Sequence, residues 1–189
     1  MKYTFNKEIV PRKFVQGQGW LSNLKTYKLF EADKLIGTFD YHDTLHIISF
    51  LDREFIIEVK EPFFRRSSYN LFDKSTNELI GDFKLSLFAA QSLRVDKLRI
   101  GKKDLFIFEE VRSDIPFSVF KKSSWGHCKF QFSNGTEAAV YSLKVDRPLI
   151  CSSLEYRPLA GEVELWGDSI LLIFAGFYLI ERRFRTVDN

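Results

Sequence analysis

Most of the chain alternates apolar and polar residues with a period of two. Phe55, Ile57 and Val59 alternate with mainly charged neighbours, and the segments 82–87 and 139–146 show the same pattern. Such alternation predicts antiparallel sheet with one covered face. Turn residues recur at short intervals, among them Asn134-Gly135, a strong hairpin signal. We therefore expect about a dozen strands between about residues 3 and 157.

One internal repeat interrupts this pattern. The segments Tyr27–Phe39 and Tyr69–Phe83 both read Tyr-x-Leu-Phe-acid, then a polar turn, then Leu-Ile-Gly-x-Phe. Each copy predicts a hairpin, and Gly37 and Gly81 stand where a strand would bulge or bend. Two copies are too few for a propeller, which has at least about four blades, so the repeat favours a barrel of hairpins.

The carboxy-terminal part changes character. Ile170–Ile180 is an uncharged apolar run, preceded by Asp168 and Ser169 and followed by charge. These flanks predict a helix over about residues 168–183. The run is apolar on every side, so it must be surrounded. A buried strand is the alternative, because Ile, Phe and Tyr also favour sheet.

A helix that follows about a dozen strands has room inside a closed barrel. The predicted fold is therefore all-β with one helix: about twelve antiparallel strands closed around a buried hydrophobic C-terminal helix. Ala175 and Gly176 would let the wall approach this helix closely. Cys151–Gly161, which contains Pro158, is predicted to connect sheet and helix. No Ser/Gly-rich linker divides the chain, which predicts one domain over residues 1–189.

Composition and charge narrow the expectations. Twenty phenylalanines suit a sheet protein. A net charge of +3 is too small to imply a nucleic-acid partner, and none is expected. The apolar run is shorter than the roughly 20 residues of a membrane span. The first residues lack the apolar core of a signal peptide, and Cys128 and Cys151 fit free thiols. We expect a soluble cytoplasmic protein, and the oligomeric state stays open.

Two segments resemble a known family. Residues 63–66 (FFRR) lead into the repeat motif at 69–73 and 78–81, and residues 173–181 read IFAGFYLIE. This layout resembles the tubby-like superfamily, in particular the phospholipid scramblase and LURP-one-related proteins. The resemblance implies a twelve-stranded barrel threaded by a C-terminal hydrophobic helix. For function it implies contact with phosphoinositides or an anionic membrane surface, peripheral to the membrane.

The sequence departs from this family before the helix. Scramblases carry an aspartate-rich, calcium-associated segment there, whereas Leu159–Trp166 holds two glutamates and no aspartate. Calcium requires several convergent oxygen ligands, so no calcium site is expected. The basic residues with which tubby proteins bind phosphoinositides have no matched positions here.

Basic residues form the candidate binding surface. Lys97 and Arg99 are predicted on one face of a strand, opposite Leu98 and Ile100. The candidate anionic-lipid or phosphate ligands are Arg94, Lys97, Arg99, Lys102 and Lys103, with Arg65 and Arg66 as a second basic pair. Several such donors together suit phosphate groups. The alternative is a solvated strand face whose lysines guard a sheet edge.

Catalytic and metal motifs are not apparent in the sequence. On a strand, the adjacent His127 and Cys128 point to opposite faces, and His42 and His46 would lie about 13 Å apart. No catalytic residue, metal site or cofactor is predicted.

We therefore expect a non-enzymatic binding module that recognises phosphoinositide or an anionic membrane surface. The alternative is a protein-interaction or structural domain with no lipid role, which would carry an exposed aromatic patch. An enzyme whose site is assembled from loops is a third hypothesis, without positive support in the sequence.

Overall fold

A computed structural model of the chain describes residues 1–10, 14–15, 19–20, 24–41, 45–60, 68–85, 96–100, 104–113, 127–145 and 159–185. Twelve antiparallel strands close into a barrel, and two further short strands pair with each other. The barrel strands are β1 (Lys2–Val10), β4 (Leu24–Glu31), β5 (Lys34–Tyr41), β6 (Leu45–Phe50), β7 (Arg53–Lys60), β8 (Ser68–Asp73), β9 (Glu78–Lys84), β10 (Asp96–Ile100), β11 (Asp104–Ser113), β12 (His127–Ser133), β13 (Ala138–Val145) and β14 (Leu159–Trp166). The short pair is β2 (Phe14–Val15) and β3 (Gly19–Trp20).

The barrel is a meander that closes on its first strand. From β4 to β14 each barrel strand pairs with the next one along the chain, and β1 pairs with both β4 and β14. The predicted class, an all-β closed barrel of about twelve strands, is confirmed. The helix α1 (Leu171–Arg185) follows β14 directly.

Both copies of the internal repeat are hairpins with the same irregularity. In β4–β5 the register shifts where Leu29 pairs with Gly37 and Phe30 pairs with Leu35. In β8–β9 it shifts in the same way, between the Leu71–Gly81 and Phe72–Leu79 pairs. Each shift is a bulge that turns the leucine of the Leu-Ile-Gly motif outward and packs the isoleucine against the core.

Helix α1 is enclosed by the barrel. Its side chains from Leu172 to Glu181 are buried, apart from the glycine that has none. A barrel of eight strands is filled by its own side chains, and sixteen or more strands leave a channel, at roughly these counts. Twelve strands lie between these cases, so the helix fills the interior that the strand side chains leave open.

The helix begins later than predicted. Leu171 is its first residue, whereas the sequence predicted a start near 168. Residues 168–170 instead form a tight turn: the Ile170 amide donates to the Asp168 carbonyl, and the Leu172 amide donates to the Ser169 carbonyl at 3.1 Å. Such short-range bonds commonly tighten a helix terminus.

Strand β14 corrects the predicted boundary of the sheet. Strands were expected to end near residue 157, with Cys151–Gly161 as a connection, yet Leu159–Trp166 pairs with both β13 and β1. Gly161 concealed this strand, because glycine is uncommon within strands. Here it is required: a Cβ atom would lie 2.1 Å from the Ser142 carbonyl oxygen and about 3 Å from the ring of Phe5.

One tyrosine of the wall presses against the helix. The Tyr141 hydroxyl donates to the carbonyl oxygens of Leu172 at 2.8 Å and Ile173 at 3.2 Å. Its oxygen would lie only 2.0 Å from a Cβ atom built on Gly176. The predicted close approach at Gly176 is confirmed, and the wall residue responsible is Tyr141.

We expect Gly176→Ala to destabilise the protein by about 1–3 kcal/mol, because the added methyl group overlaps the Tyr141 ring. Helix propensity alone predicts the opposite, a gain of about 1 kcal/mol. Urea unfolding measures the difference. In a Tyr141→Ala background, which lacks the ring, Gly176→Ala should lower the free energy of unfolding by less than it does in the unmodified chain. A Gly176→Ala protein as stable as the unmodified chain would contradict this packing.

Candidate functional site: a basic strip on the outer wall

Among the described residues, the barrel interior holds an ionic cluster between apolar side chains. Lys7 on β1 and Lys25 on β4 point inward and reach Glu181 of helix α1. The Lys25 ammonium lies 3.3 Å from Oε2 of Glu181, Lys7 bonds its Oε1, and the Tyr27 hydroxyl donates to Oε1 at 2.7 Å. All four residues are at most 4% exposed. The cluster fixes the last turns of the helix to the two strands beside the closure of the barrel.

The ionised form of Glu181 is favoured in this cluster. Burial alone would raise the pKa of its carboxyl group, because a charge loses its hydration. The two ammonium groups and the hydrogen bonds from Lys7 and Tyr27 outweigh this effect and lower the pKa below its usual value.

Aromatic rings continue the cluster around the helix. The Lys25 ammonium lies over the ring of Tyr41, 5.3 Å from its centroid, and His46 stacks on the same ring at 4.4 Å. Tyr178 packs against His46 at 5.0 Å, and the guanidinium of Arg182 lies 5.0 Å from the centroid of Tyr69. Burial raises the pKa of Tyr178, so its hydroxyl stays protonated at neutral pH.

The cluster holds the helix in place, because its charged atoms are buried against each other. The cluster was not predicted from the sequence, although a signal was present. Lys7 continues the apolar series Tyr3 and Phe5 with a period of two, which places a lysine on the inward face of a strand. A lysine on a buried strand face requires a buried partner.

The outer wall carries the predicted basic residues that the structure describes. Lys97 and Arg99 share the outer face of β10, while Leu98 is buried and Ile100 packs against the core, as predicted. Lys97 pairs across the ladder with Lys84 of β9, and Arg99 pairs with Asp82. We call Lys84, Lys97 and Arg99 the basic strip.

The basic strip contains an unfavourable contact. Directly paired residues in an antiparallel sheet have Cβ atoms about 4.5–5.5 Å apart, and like charges there are destabilising. Neither Lys84 nor Lys97 forms an ion pair with another described residue. Arg99 is only partly compensated, since its Nε lies 3.9 Å from Oδ1 of Asp82. An anion between the cations would relieve this repulsion.

The alternative of edge-guarding lysines does not fit β10. This strand pairs with β9 on one side and β11 on the other, so it is not at an edge of the sheet. Lys84 was missed as a member of the strip, because the register between strands cannot be read from one strand alone.

Other residues of the predicted surface lie outside the described ranges. These are Arg65, Arg66, Arg94, Lys102 and Lys103. His42 and Cys151 also lie outside them, and of His127 and Cys128 only the backbone, in strand β12, is described. His46 is buried in the aromatic cluster around helix α1.

A second surface feature lies beside the basic strip. Ile47, Ile56, Phe72 and Leu79 pair in register across β6, β7, β8 and β9 on the outer face, and we call them the apolar row. A cleft of about 420 Å³ contains Ile56 and Phe72 of this row and extends along β7. It is lined by Ile56, Glu58, Lys60, Phe72, Lys74 and Asn77.

Within the described ranges, no group of three or more His, Cys, Asp or Glu side chains is placed to hold a metal ion. The described part of the chain also contains no helix with the length and apolarity that crossing a bilayer requires. Comparison with protein-family models, curated proteins and solved structures gave no match for this chain. The resemblance to tubby-like proteins thus stays a prediction.

Removing the buried carboxylate should be costly. We expect Glu181→Gln to lower the free energy of unfolding by about 3–5 kcal/mol, because two buried ammonium groups lose their counter-charge. Glu162→Gln is the matched control: Glu162 pairs with Lys2 at 2.8 Å, but both side chains are at least 50% exposed. Its loss should stay below about 1 kcal/mol. Equal losses in the two variants, measured by urea unfolding, would contradict the anchoring role of Glu181.

The same carboxylate predicts a pH dependence. The folded-state pKa of Glu181 is lower than its ordinary value of 4.5. Its contribution to stability is therefore complete above the unfolded-state value and is lost as the pH falls through the folded-state pKa. Between about pH 7 and about pH 3, the difference in melting temperature between the unmodified protein and Glu181→Gln should shrink. A difference that is constant over this range would mean that Glu181 has the same pKa in the folded and unfolded states, which would contradict its pairing with the two ammonium groups.

Proposed function

We propose that this chain is a non-enzymatic module that binds an anionic membrane surface through the basic strip on its outer wall. The observation that carries the proposal is the Lys84–Lys97 pair, two cations held directly opposite each other on a strand pair inside the sheet. A phosphate-bearing headgroup can accept hydrogen bonds from both ammonium groups and from Arg99, and so offset their repulsion.

The interior supports a role at the outer surface. The inward side chains of the barrel pack against helix α1, and the buried Glu181 carboxylate pairs with Lys7 and Lys25. A small molecule thus has less opportunity to bind inside than in a barrel without a helix. The ligand class follows from charge and from the resemblance to proteins that act at membranes. Phosphoinositides and anionic phospholipids share the phosphate group that the strip would recognise.

Charge reversal tests this proposal. We expect Lys84→Glu/Lys97→Glu/Arg99→Glu to abolish sedimentation with vesicles of roughly 80% phosphatidylcholine and 20% phosphatidylserine. The unmodified protein should bind them, and binding should weaken as salt is raised from about 0.05 M to about 0.5 M. Adding a small fraction of phosphoinositide in place of phosphatidylserine compares the two headgroups at equal total charge.

The matched control carries the same change in net charge elsewhere. Lys34→Glu/Lys129→Glu/Lys144→Glu reverses three exposed lysines on β5, β12 and β13. It should bind nearly as well as the unmodified protein, because the basic strip is intact. Equal loss in both triple variants would mean that only the overall charge matters. Retained binding in the strip variant would exclude the strip.

A second candidate function is protein interaction, which the apolar row favours. Four outward apolar side chains in register, including the aromatic ring of Phe72, form a continuous surface on adjacent strands. If anionic vesicles do not bind the protein at any salt concentration, this surface becomes the leading hypothesis. In that case Ile56→Lys/Phe72→Ser should abolish association with the partner.

A further inference from the structure

Two exposed aliphatic side chains stand beside the cations of the basic strip. On β11, Leu105 pairs across the ladder with Arg99, and Ile107 pairs with Lys97. The strand alternates, with Phe106 and Phe108 buried inside, so Leu105 and Ile107 face outward at 41% and 39% exposure. We call them the aliphatic pair. Each of its members lies directly opposite one cation of the strip.

This arrangement has the composition of a membrane-interface surface. Cations at headgroup level with adjacent aliphatic side chains gain both electrostatic attraction and apolar burial at an anionic bilayer. The long stems of lysine and arginine let the charge stay at headgroup level while the neighbouring side chains go deeper. Three neighbouring strands, β9 to β11, span about 10 Å of barrel wall, a width that a flat surface can touch on a convex barrel.

We propose that Leu105 and Ile107 insert into the interfacial region of an anionic bilayer while the basic strip binds its phosphate groups. The inference rests on the proposed function and adds the orientation of the bound protein, with β9–β11 against the membrane. Two acidic side chains lie beside this contact: Asp82, which pairs across the ladder with Arg99, and Glu109 on the outer face of β11. Insertion adds a component of binding that salt does not screen.

Serine substitution of the aliphatic pair tests insertion. On vesicles of roughly 80% phosphatidylcholine and 20% phosphatidylserine, Leu105→Ser/Ile107→Ser should bind about tenfold more weakly than the unmodified protein. The residual binding should disappear at high salt, because only the electrostatic part remains. The control Leu35→Ser/Leu51→Ser removes leucines that are 48% and 76% exposed elsewhere on the barrel, and it should bind like the unmodified protein.

A variant that is expected to bind more tightly is also needed, because misfolding could explain a loss of binding but not a gain. Ile107→Trp presents a larger apolar side chain, so it should bind severalfold more tightly. Its additional fluorescence, measured as the difference from the unmodified protein, should shift to the blue on adding vesicles. Failure of both the serine and the tryptophan variants to change affinity would overturn the insertion proposal. If charge reversal of the strip still abolishes binding in that case, the proposed function stands alone. Absence of any binding by the unmodified protein would overturn both.

Discussion

The structure depends on one constraint: helix α1 is apolar on every side and must be enclosed. A helix of 15 residues is about 22 Å long. Strands of about eight residues, tilted as barrel strands are, span a similar height. Twelve strands close around the helix. The meander needs only short turns at the end where the helix begins, and β1 completes the closure by pairing with both β4 and β14.

Enclosure sets local requirements on the wall. Position 176 has no space for a side chain because Tyr141 lies against the helix there. Position 161 has none because Phe5 and the Ser142 carbonyl occupy that space. The ionic cluster adds a polar link between the helix and the wall to this packing. The Gly176–Tyr141 contact and the ion pairs of Glu181 with Lys7 and Lys25 together fix the position of the helix along its axis. Because burying charges costs hydration energy, the net contribution of such an ion pair to stability is small, whereas the loss of one partner is costly.

The outward side chains of the wall do not pack against the helix, so solvent and any partner constrain them instead. The two bulges change which residues face outward. In each repeat, the bulge brings a leucine to the surface, Leu35 in one copy and Leu79 in the other. The basic strip and the aliphatic pair lie on ordinary, unbulged ladders, where directly opposite residues decide which charges meet.

Much of the fold is readable from the sequence because its signals are local. The period of two, the repeat, the Asn134-Gly135 turn and the uncharged run of the helix each depend on neighbouring residues. Strand β14 was missed because contacts with residues distant in sequence require glycine at position 161, and no local pattern shows such contacts. Two of the three residues of the basic strip were predicted: Lys97 and Arg99 share a strand, whereas Lys84 joins them through the register of two strands. Lys7 and Lys25 were visible as lysines on apolar faces, yet their partner Glu181 lies more than 150 residues away.

The proposed contact face is β9–β11, with helix α1 enclosed by the barrel. The most direct measurement is paramagnetic broadening of backbone amide signals by a spin-labelled lipid in anionic nanodiscs. With this contact face, broadening should be concentrated on β9, β10 and β11 and weak on helix α1 and on β1, β4 and β5 across the barrel. Broadening that is strongest on helix α1 would contradict it, because the helix would then have left the barrel to enter the membrane.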